Sequence, residues 1–481
     1  MVMGELAEET QLLVMGGGPG GYAAAFRAAD LGLEVTLVDR QAQPGGVCLH
    51  KGCIPSKTLL SLAELILDAH RAAAMGLSYE PPRIDLPAIR AWRDEVTGRL
   101  ARGLVALCEK RGVRLIQGRA EFESPRRVRV QGHAALHIDF EQAIIATGSR
   151  PAKLQGFKEQ GRGRIMDSTS ALALADIPES LLVVGGGYVG LELGTVYAAL
   201  GSRVSLMERV DGILPMVDRD LTQPLMEGLK SLFAAFHFNT HIESLEPGPR
   251  EVRVRAQEYG GDMLDQTFDR VLVAVGRRPN SGGIGLEKAG LAADEKGLIP
   301  VDDQMRTAVK GIFAVGDVTE GYGLAHEAMR QGKVAAEVIT GRPSAYDVRA
   351  VPAVVFTDPQ VAWCGLTESQ ARAEQQPVEI RRFPWGFSGR AVSMGAPSGL
   401  TKMIADPDSG RVLGVGIVGR NAENLIAEGV LAVEMGALVE DVALSMHAHP
   451  TLSETQGEAA EIFLESATHI LPRRKPPRRP A

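Results

Sequence analysis

One pattern occurs twice in this chain, and it limits what the chain can fold into. An apolar run, Gln11 to Met15, leads into Gly16-Gly17-Gly18-Pro19-Gly20-Gly21. An alanine-rich segment follows to about Leu31, then a second apolar run, Glu34 to Val38, that ends at Asp39. The series starts again at Leu181 to Val184. Glycines follow at Gly185, Gly187 and Gly190, a helical stretch runs to Leu200, and Arg203 to Met207 ends at Glu208. In both copies the acid lies 21 positions after the middle glycine. Strand, glycine turn, helix, strand and acid at this spacing mark a dinucleotide-binding βαβ unit. Small residues let a pyrophosphate rest on the helix N-terminus, and the carboxylate accepts hydrogen bonds from ribose hydroxyls. A glycine-rich turn alone is weak; the complete unit occurring twice is not. In the second copy Glu208 favours NAD over NADP, because a carboxylate repels a 2′-phosphate.

Between the copies lies Gly45-Gly46-Val47-Cys48-Leu49-His50-Lys51-Gly52-Cys53-Ile54-Pro55-Ser56-Lys57. It holds two of the four cysteines. On an ideal helix, positions five apart are separated by about 8–9 Å. A disulfide needs Cα atoms within roughly 7 Å. If the pair closes, the backbone must depart from a helix, and Gly52 and Pro55 supply the means. Two unrelated buried thiols are the alternative. Cys108, in a helical stretch, and Cys364, in an apolar run, read as core.

The acidic start, Met1 to Thr10, has no basic-then-apolar export pattern. The apolar run Leu181 to Leu200 is interrupted by five glycines and Glu192 and does not suit a membrane span. A cytoplasmic setting follows as the expectation, where cysteine pairs are more often catalytic than structural. A net charge of −7 argues against a nucleic-acid binder.

Further along, Ala143 to Ala146 runs into Thr147-Gly148-Ser149-Arg150-Pro151, and Val271 to Val275 runs into Gly276-Arg277-Arg278-Pro279. The two exits match. An apolar run ends in Gly316-Asp317, where a carboxylate can meet a cofactor's hydroxyls or simply cap a helix. Helices are expected at Thr58 to Ala74, Ala88 to Arg111 and Ala325 to Thr340. From about Asp347 five short runs predict an antiparallel sheet, with helices at Ala422 to Met435 and Val439 to Leu444. Near the end, His449 and Glu454 could be a base and its orienting acid, or a turn histidine and a helix-start carboxylate. Residues 472–481 read as a basic, proline-rich tail.

These stretches together resemble the flavin-dependent pyridine nucleotide–disulfide oxidoreductases from about Gln11 to Leu464. Within them the chain is most similar to the dihydrolipoamide dehydrogenases. Ile54-Pro55-Ser56-Lys57 after Cys53, and His447-Ala448-His449-Pro450-Thr451-Leu452-Ser453-Glu454, carry that likeness. The resemblance implies an α/β fold with two Rossmann-like domains, for FAD and NAD, and a C-terminal α+β dimerisation domain. Its expected boundaries are 1–152 and 277–346 for the FAD domain, 153–276 for the NAD domain, 347–466 for the interface domain, and 467–481 for the tail.

The resemblance also implies roles. Gly16, Gly18, Gly21, Asp39, Lys57, Ala120, Thr147, Gly148, Asp317 and Ala325 would bind FAD. Gly185, Gly187, Gly190, Glu192, Glu208, Ile242 and Gly276 would bind NAD, with Glu192 also pairing with Lys57. Cys48 would exchange with the substrate dithiol and Cys53 would face the flavin. His449, oriented by Glu454, would serve the site of a second subunit, so the active unit would be a homodimer, and no metal is expected. Implied partners are lipoyl domains and the acyltransferase core of 2-oxo acid dehydrogenase complexes, or the glycine cleavage system. Two departures stand out: His50 where many relatives have Asn, and Phe387-Ser388 where the family often has Ala-Asn. An NADPH-dependent reductase of the glutathione reductase type and a non-catalytic assembly flavoprotein are the alternatives.

Overall fold

The computed structural model describes residues 6–132, 136–154 and 163–471. The basic stretch 472–481 lies outside them.

The first repeat forms the left part of a seven-stranded sheet. Its order is Arg114–Gln117, Val35–Asp39, Leu6–Met15, Leu136–Ile145, Arg127–Gln131 and Arg119–Ser124, and Ile312–Ala314 also pairs with Leu136–Ile145. The strands from Arg114–Gln117 to Leu136–Ile145, and Ile312–Ala314, run parallel; the other two are antiparallel. Leu12, Leu13 and Val14 are fully buried, as a central parallel strand covered on both faces requires. Each such side chain contributes about 1.5–3 kcal/mol through burial. The helix Pro19–Asp30 packs on the helix Ala325–Ile339 so closely that a Cβ on Gly332 would lie 2.3 Å from the Gly20 carbonyl oxygen.

The second repeat builds an all-parallel sheet: Ala235–His237, Arg203–Met207, Ser180–Val184, Arg270–Val273 and Ile165–Met166. Beside it stands an antiparallel meander, Thr240–Pro247, Val252–Glu258 and Met263–Phe268. The alternation Val252-Arg253-Val254-Arg255-Ala256 buries every second residue, the period of a strand with one solvated face.

The two matched exits pair with each other. Ser149–Pro151 and Arg277–Pro279 form an antiparallel ribbon with Arg150 opposite Arg278. Ala152 donates to the Gly276 carbonyl and Asn280 to the Gly148 carbonyl, at 2.9 and 2.8 Å.

The C-terminal part is an antiparallel sheet, Ala353–Val355, Gln360–Gly365, Val412–Gly419, Leu400–Ala405 and Glu379–Pro384. The helices Ala422–Met435, Val439–Leu444 and Glu454–Phe463 accompany it. Cys108 and Cys364 are buried, in helix and strand respectively. Among the described residues no helix is long and apolar enough to cross a membrane.

Candidate functional site

The two glycine loops are built on the same plan. Gly16 (φ +109°) and Gly185 (φ +108°) lie against the carbonyls of Ala146 and Ala274, which a Cβ would meet at 2.3 and 2.5 Å. Gly21 and Gly190 would place a Cβ 1.8 and 2.3 Å from the carbonyls of Gly16 and Gly185. These four positions admit only glycine. The middle glycines differ: a Cβ on Gly18 has no neighbour nearer than 3.9 Å, and one on Gly187 has none within 4 Å. They cap the helices Pro19–Asp30 and Tyr188–Ala199 with no side chain bonded to the first amides. Each helix therefore offers unfilled donors to open space, which suits a pyrophosphate. Asp39 accepts from the Gly17 amide at 2.6 Å, and Glu208 accepts from the Gly186 amide at 2.6 Å. Each acid also accepts from the amide two residues further on. The remaining lone pairs are free for ribose hydroxyls, so the residues present fit two dinucleotides.

The cysteine stretch hangs on the first loop. Gly45 donates to the Gly17 carbonyl at 2.6 Å, and His50 Nε2 lies 3.1 Å from the Pro44 carbonyl oxygen. The helix Gly46–Lys51 stops at Gly52 (φ −147°, ψ −112°), and a new helix, Cys53–Arg71, starts. The distortion predicted between the cysteines is therefore a break at Gly52. Pro55 sits in the first turn of the new helix, where its missing N–H has no intrahelical partner to lose. This is why the helix begins at Cys53 and not at Thr58.

Cys48 and Cys53 are both free thiols, hydrogen-bonded to each other. They are unequal. The bond from Cys48 lowers the Cys53 thiol to about 7, against burial and with help from the Lys57 ammonium. Cys48 is pushed up by the same hydrogen bond and by burial. Lys57 Nζ bonds both oxygens of Glu192, at 3.0 and 2.8 Å, and lies 4.3 Å from the centre of the Phe356 ring. Glu192 also accepts from the Phe356 amide at 3.0 Å. The pairing of Glu192 with Lys57 expected from the resemblance is present, and the buried carboxylate couples the second unit to the cysteine helix.

Asp317 lies in the short turn Gly316–Val318 and accepts from the Ser149 hydroxyl, with Arg277 at 3.8 Å. Thr147 and Gly148 are held by Asn280. The ribbon thus brings Thr147, Gly148, Gly276 and Asp317 to one place. Ala325 opens its helix, with no side chain capping it. Ala120 and Ile242 are each 6 % exposed and belong to apolar clusters. A nucleotide contact at these two falls to the backbone.

His449 is exposed, and its Nδ1 lies 2.8 Å from Glu454 Oε1; Glu454 Oε2 accepts from the Thr451 amide at 2.7 Å. The His449–Pro450 peptide is cis. Glu454 starts the helix Glu454–Phe463 and is also the hydrogen-bond partner of the imidazole. Among the described residues no hydrogen bond or ion pair joins His449 to either cysteine of the same chain.

The sequence reading passed over several residues. Tyr22 and Tyr188 follow the glycine turns. Burial pushes Tyr22 up to about 12, with Cys48 and Cys53 adding to it. Burial also raises Tyr188, on which Arg277, Glu192, Cys53 and Asp317 act as well. Their place after each turn was the available signal. Ser149 and Gln331, which holds the Gly316 amide at 2.7 Å, gave none.

Residues 10–332 match the profile of the family described as pyridine nucleotide-disulphide oxidoreductase, and residues 351–460 match its dimerisation domain. The chain belongs to this family. A curated relative, dihydrolipoyl dehydrogenase of Halobacterium salinarum, is 44% identical over 477 residues, covering 98% of this chain and 100% of the relative. The enzyme of the same name from Vibrio parahaemolyticus is 43% identical over 463 residues, 96% of this chain and 97% of its own length. Among solved structures, LpdA of Mycobacterium tuberculosis superposes with a TM-score of 0.87 at 28% identity, covering 94% of this chain and 99% of that one. The HOCl-induced flavoprotein disulfide reductase RclA of Escherichia coli gives 0.83 at 26% identity, with 94% and 99% covered. Members of the family are flavin-dependent oxidoreductases, and FAD and NAD are the cofactors of its dihydrolipoyl dehydrogenases. The two glycine loops fit that pair.

Proposed function

We propose that this enzyme oxidises protein-bound dihydrolipoyl groups and reduces NAD⁺ to NADH, working through Cys48, Cys53 and FAD. Two thiols on either side of the helix break at Gly52, on a segment fastened to the first glycine loop through Gly45 and Gly17 and followed by the Lys57–Glu192 pair, carry the reading. In a thiol–disulfide exchange the sulfur of lower pKa leaves faster. A substrate thiolate attacking the Cys48–Cys53 bond at Cys48 therefore expels Cys53, whose thiolate is steadied by the Cys48 environment and Lys57. The partner subunit's His449 takes the proton from the attacking dihydrolipoyl thiol, because the thiolate is the nucleophile. The second substrate thiol, deprotonated in turn, displaces Cys48. The substrate leaves as a cyclic disulfide, and both cysteines stand as the dithiol. Bound FAD supplies the two-electron carrier between that dithiol and NAD⁺. Gly16, Gly18, Gly21, Asp39, Lys57, Thr147, Gly148, Asp317 and Ala325, with the backbone of Ala120, would hold it. Gly185, Gly187, Gly190, Glu208 and Gly276, with the backbone of Ile242, would hold NAD.

His449 is exposed and held by Glu454, and among the described residues no hydrogen bond or ion pair joins it to a thiol of its own chain, which suits a homodimer in which each chain completes the other's site. Domains ending near 152, 276, 346 and 466 suit the sheets and the ribbon. By their chemistry the macromolecular partners are lipoyl domains and the acyltransferase core of 2-oxo acid dehydrogenase or glycine cleavage complexes, in the cytoplasm.

The test is NADH formation by FAD-loaded protein given dihydrolipoamide, with NADP⁺ in parallel. C48S and C53S should each abolish it. Full activity in C48S, or a clear preference for NADP⁺, would overturn the reading.

A further inference from the structure

Lys402 is a buried cation that this chemistry does not use. It lies in the strand Leu400–Ala405 with no solvent exposure. Its ammonium donates to Asp218 Oδ2 at 2.6 Å and Asp220 Oδ1 at 2.7 Å, and Glu368 Oε2 lies at 3.7 Å. Those three carboxylates approach one another within 4.8 Å, close enough to share a metal ion, and the Lys402 ammonium occupies the centre. Arg382 closes the outer side, with Nε on Asp220 at 2.6 Å and Nη2 on Glu368 at 2.5 Å. A void of about 10 Å³ beside Lys402 has room for roughly one water, so the ammonium cannot trade its carboxylates for a hydration shell.

The group joins two parts of the molecule. Asp218 and Asp220 open the helix Arg219–Leu232 of the second dinucleotide unit. Glu368, Ser369, Arg382 and Lys402 belong to the C-terminal part. Asp218 reaches across to accept from the amides of Glu368 and Ser369 at 2.9 and 3.0 Å, and from the Ser369 hydroxyl at 2.7 Å. Asp218 also ends the loop that starts at Glu208. Within that loop Leu214, buried at φ +48°, donates to the Gly186 carbonyl at 3.0 Å. Gly186 in turn donates to Glu208. A short, hydrogen-bonded stretch of chain therefore links Lys402 to the second glycine loop.

We propose that Lys402 is a positioning residue for the second nucleotide. Its charge holds Asp218 in place, and Asp218 fixes the loop that sets Gly186 and Glu208. The proposal rests on the reading that this unit binds NAD. Apolar contacts, with Leu221 against Gly416 and both Val361 and Val418 in the shared core, keep the two parts together without Lys402. Its loss leaves three carboxylates facing one arginine, and their repulsion acts at Asp218.

The test uses FAD-loaded K402M. KM for NAD⁺ should rise about tenfold, while the rate at which dihydrolipoamide alone reduces the holoenzyme stays within about twofold. The double variant K402M/D220N removes one repelling charge and should bring KM part of the way back. An unchanged KM, an equal fall in both rates, or no recovery in the double variant overturns the proposal. If K402M does not fold, D220N carries the same comparison and should raise KM about threefold; an unchanged KM there overturns it too. A wild-type enzyme that ignores NAD⁺ in the same assay would instead overturn the reading of the unit.

Discussion

The backbone amide of Gly45 is bonded to the carbonyl of Gly17, so the helix that carries Cys48 is fastened to the first glycine turn. Next to it, Gly46 sits at φ +59°, and a Cβ there would come within 2.6 Å of Gly18 Cα. Backbone cannot yield as a side chain can. We expect G46A to cost about 1–3 kcal/mol in backbone strain alone and to shed flavin. The measurement is the flavin absorbance retained after gel filtration, with G103A, whose Cβ meets nothing within 4 Å, as the control.

The unequal thiols predict a titration. In the reduced protein the ultraviolet thiolate band should grow as pH rises through about 7, where the Cys53 thiol titrates. C53A should lose this step. C48A should move it to higher pH, because the hydrogen bond that steadies the Cys53 thiolate is gone, and K57M should move it the same way. E192Q should move it lower, since the Glu192 charge opposes the thiolate.

Glu454 receives the Nδ1 side of His449, which leaves Nε2 as the acceptor for a proton. Burial opposes ionisation of Glu454, yet the Thr451 amide and His449 together hold its carboxyl below the usual range. H449Q should slow reduction by dihydrolipoamide about a hundredfold or more. E454Q keeps an acceptor and loses only the charge, so about a tenfold loss is expected. Stopped-flow reduction at fixed pH distinguishes the two.

His447 should show itself in stability. Its bond to Glu428, at 2.8 Å, raises its pKa against burial. A histidine raised in the folded state contributes in full below its unfolded value, about 6.5, and the contribution fades as pH climbs through the folded value. H447Q should therefore be less stable than wild type by about 1 kcal/mol below pH 6, and the gap should narrow above neutrality. Urea melts at several pH values measure it.

Much of this was legible because the chain states its periodic units locally. Each glycine turn, its helix and its acid lie within one stretch, and the same short-range sterics act on both copies. The ribbon between the exits was half legible: the matching Gly-Arg-Pro segments were visible, their pairing was not. Contacts made by chain distant in sequence were the ones missed. Phe356 over Lys57, Ser149 on Asp317, and the Lys402 cluster each depend on packing between elements, and nothing in their local pattern announces it. The meander 240–268 had the alternation of strands but no glycine motif to draw the eye. The Glu192–Lys57 pair also spans two units, and it was legible only through the family resemblance, since nothing in the local pattern of either residue announces it.

The sheet that opens with Leu6–Met15 is closed by Ile312–Ala314, and the whole second unit lies between them in the chain. On a ribosome, which releases domains in the order they are finished, the later nucleotide unit is complete before the earlier one. The cysteines are synthesised near the start, but the floor beneath their nucleotide is not laid until more than 300 residues have emerged. Cys48 and Cys53 therefore emerge well before the strand Ile312–Ala314 and the turn with Asp317 that complete the first sheet.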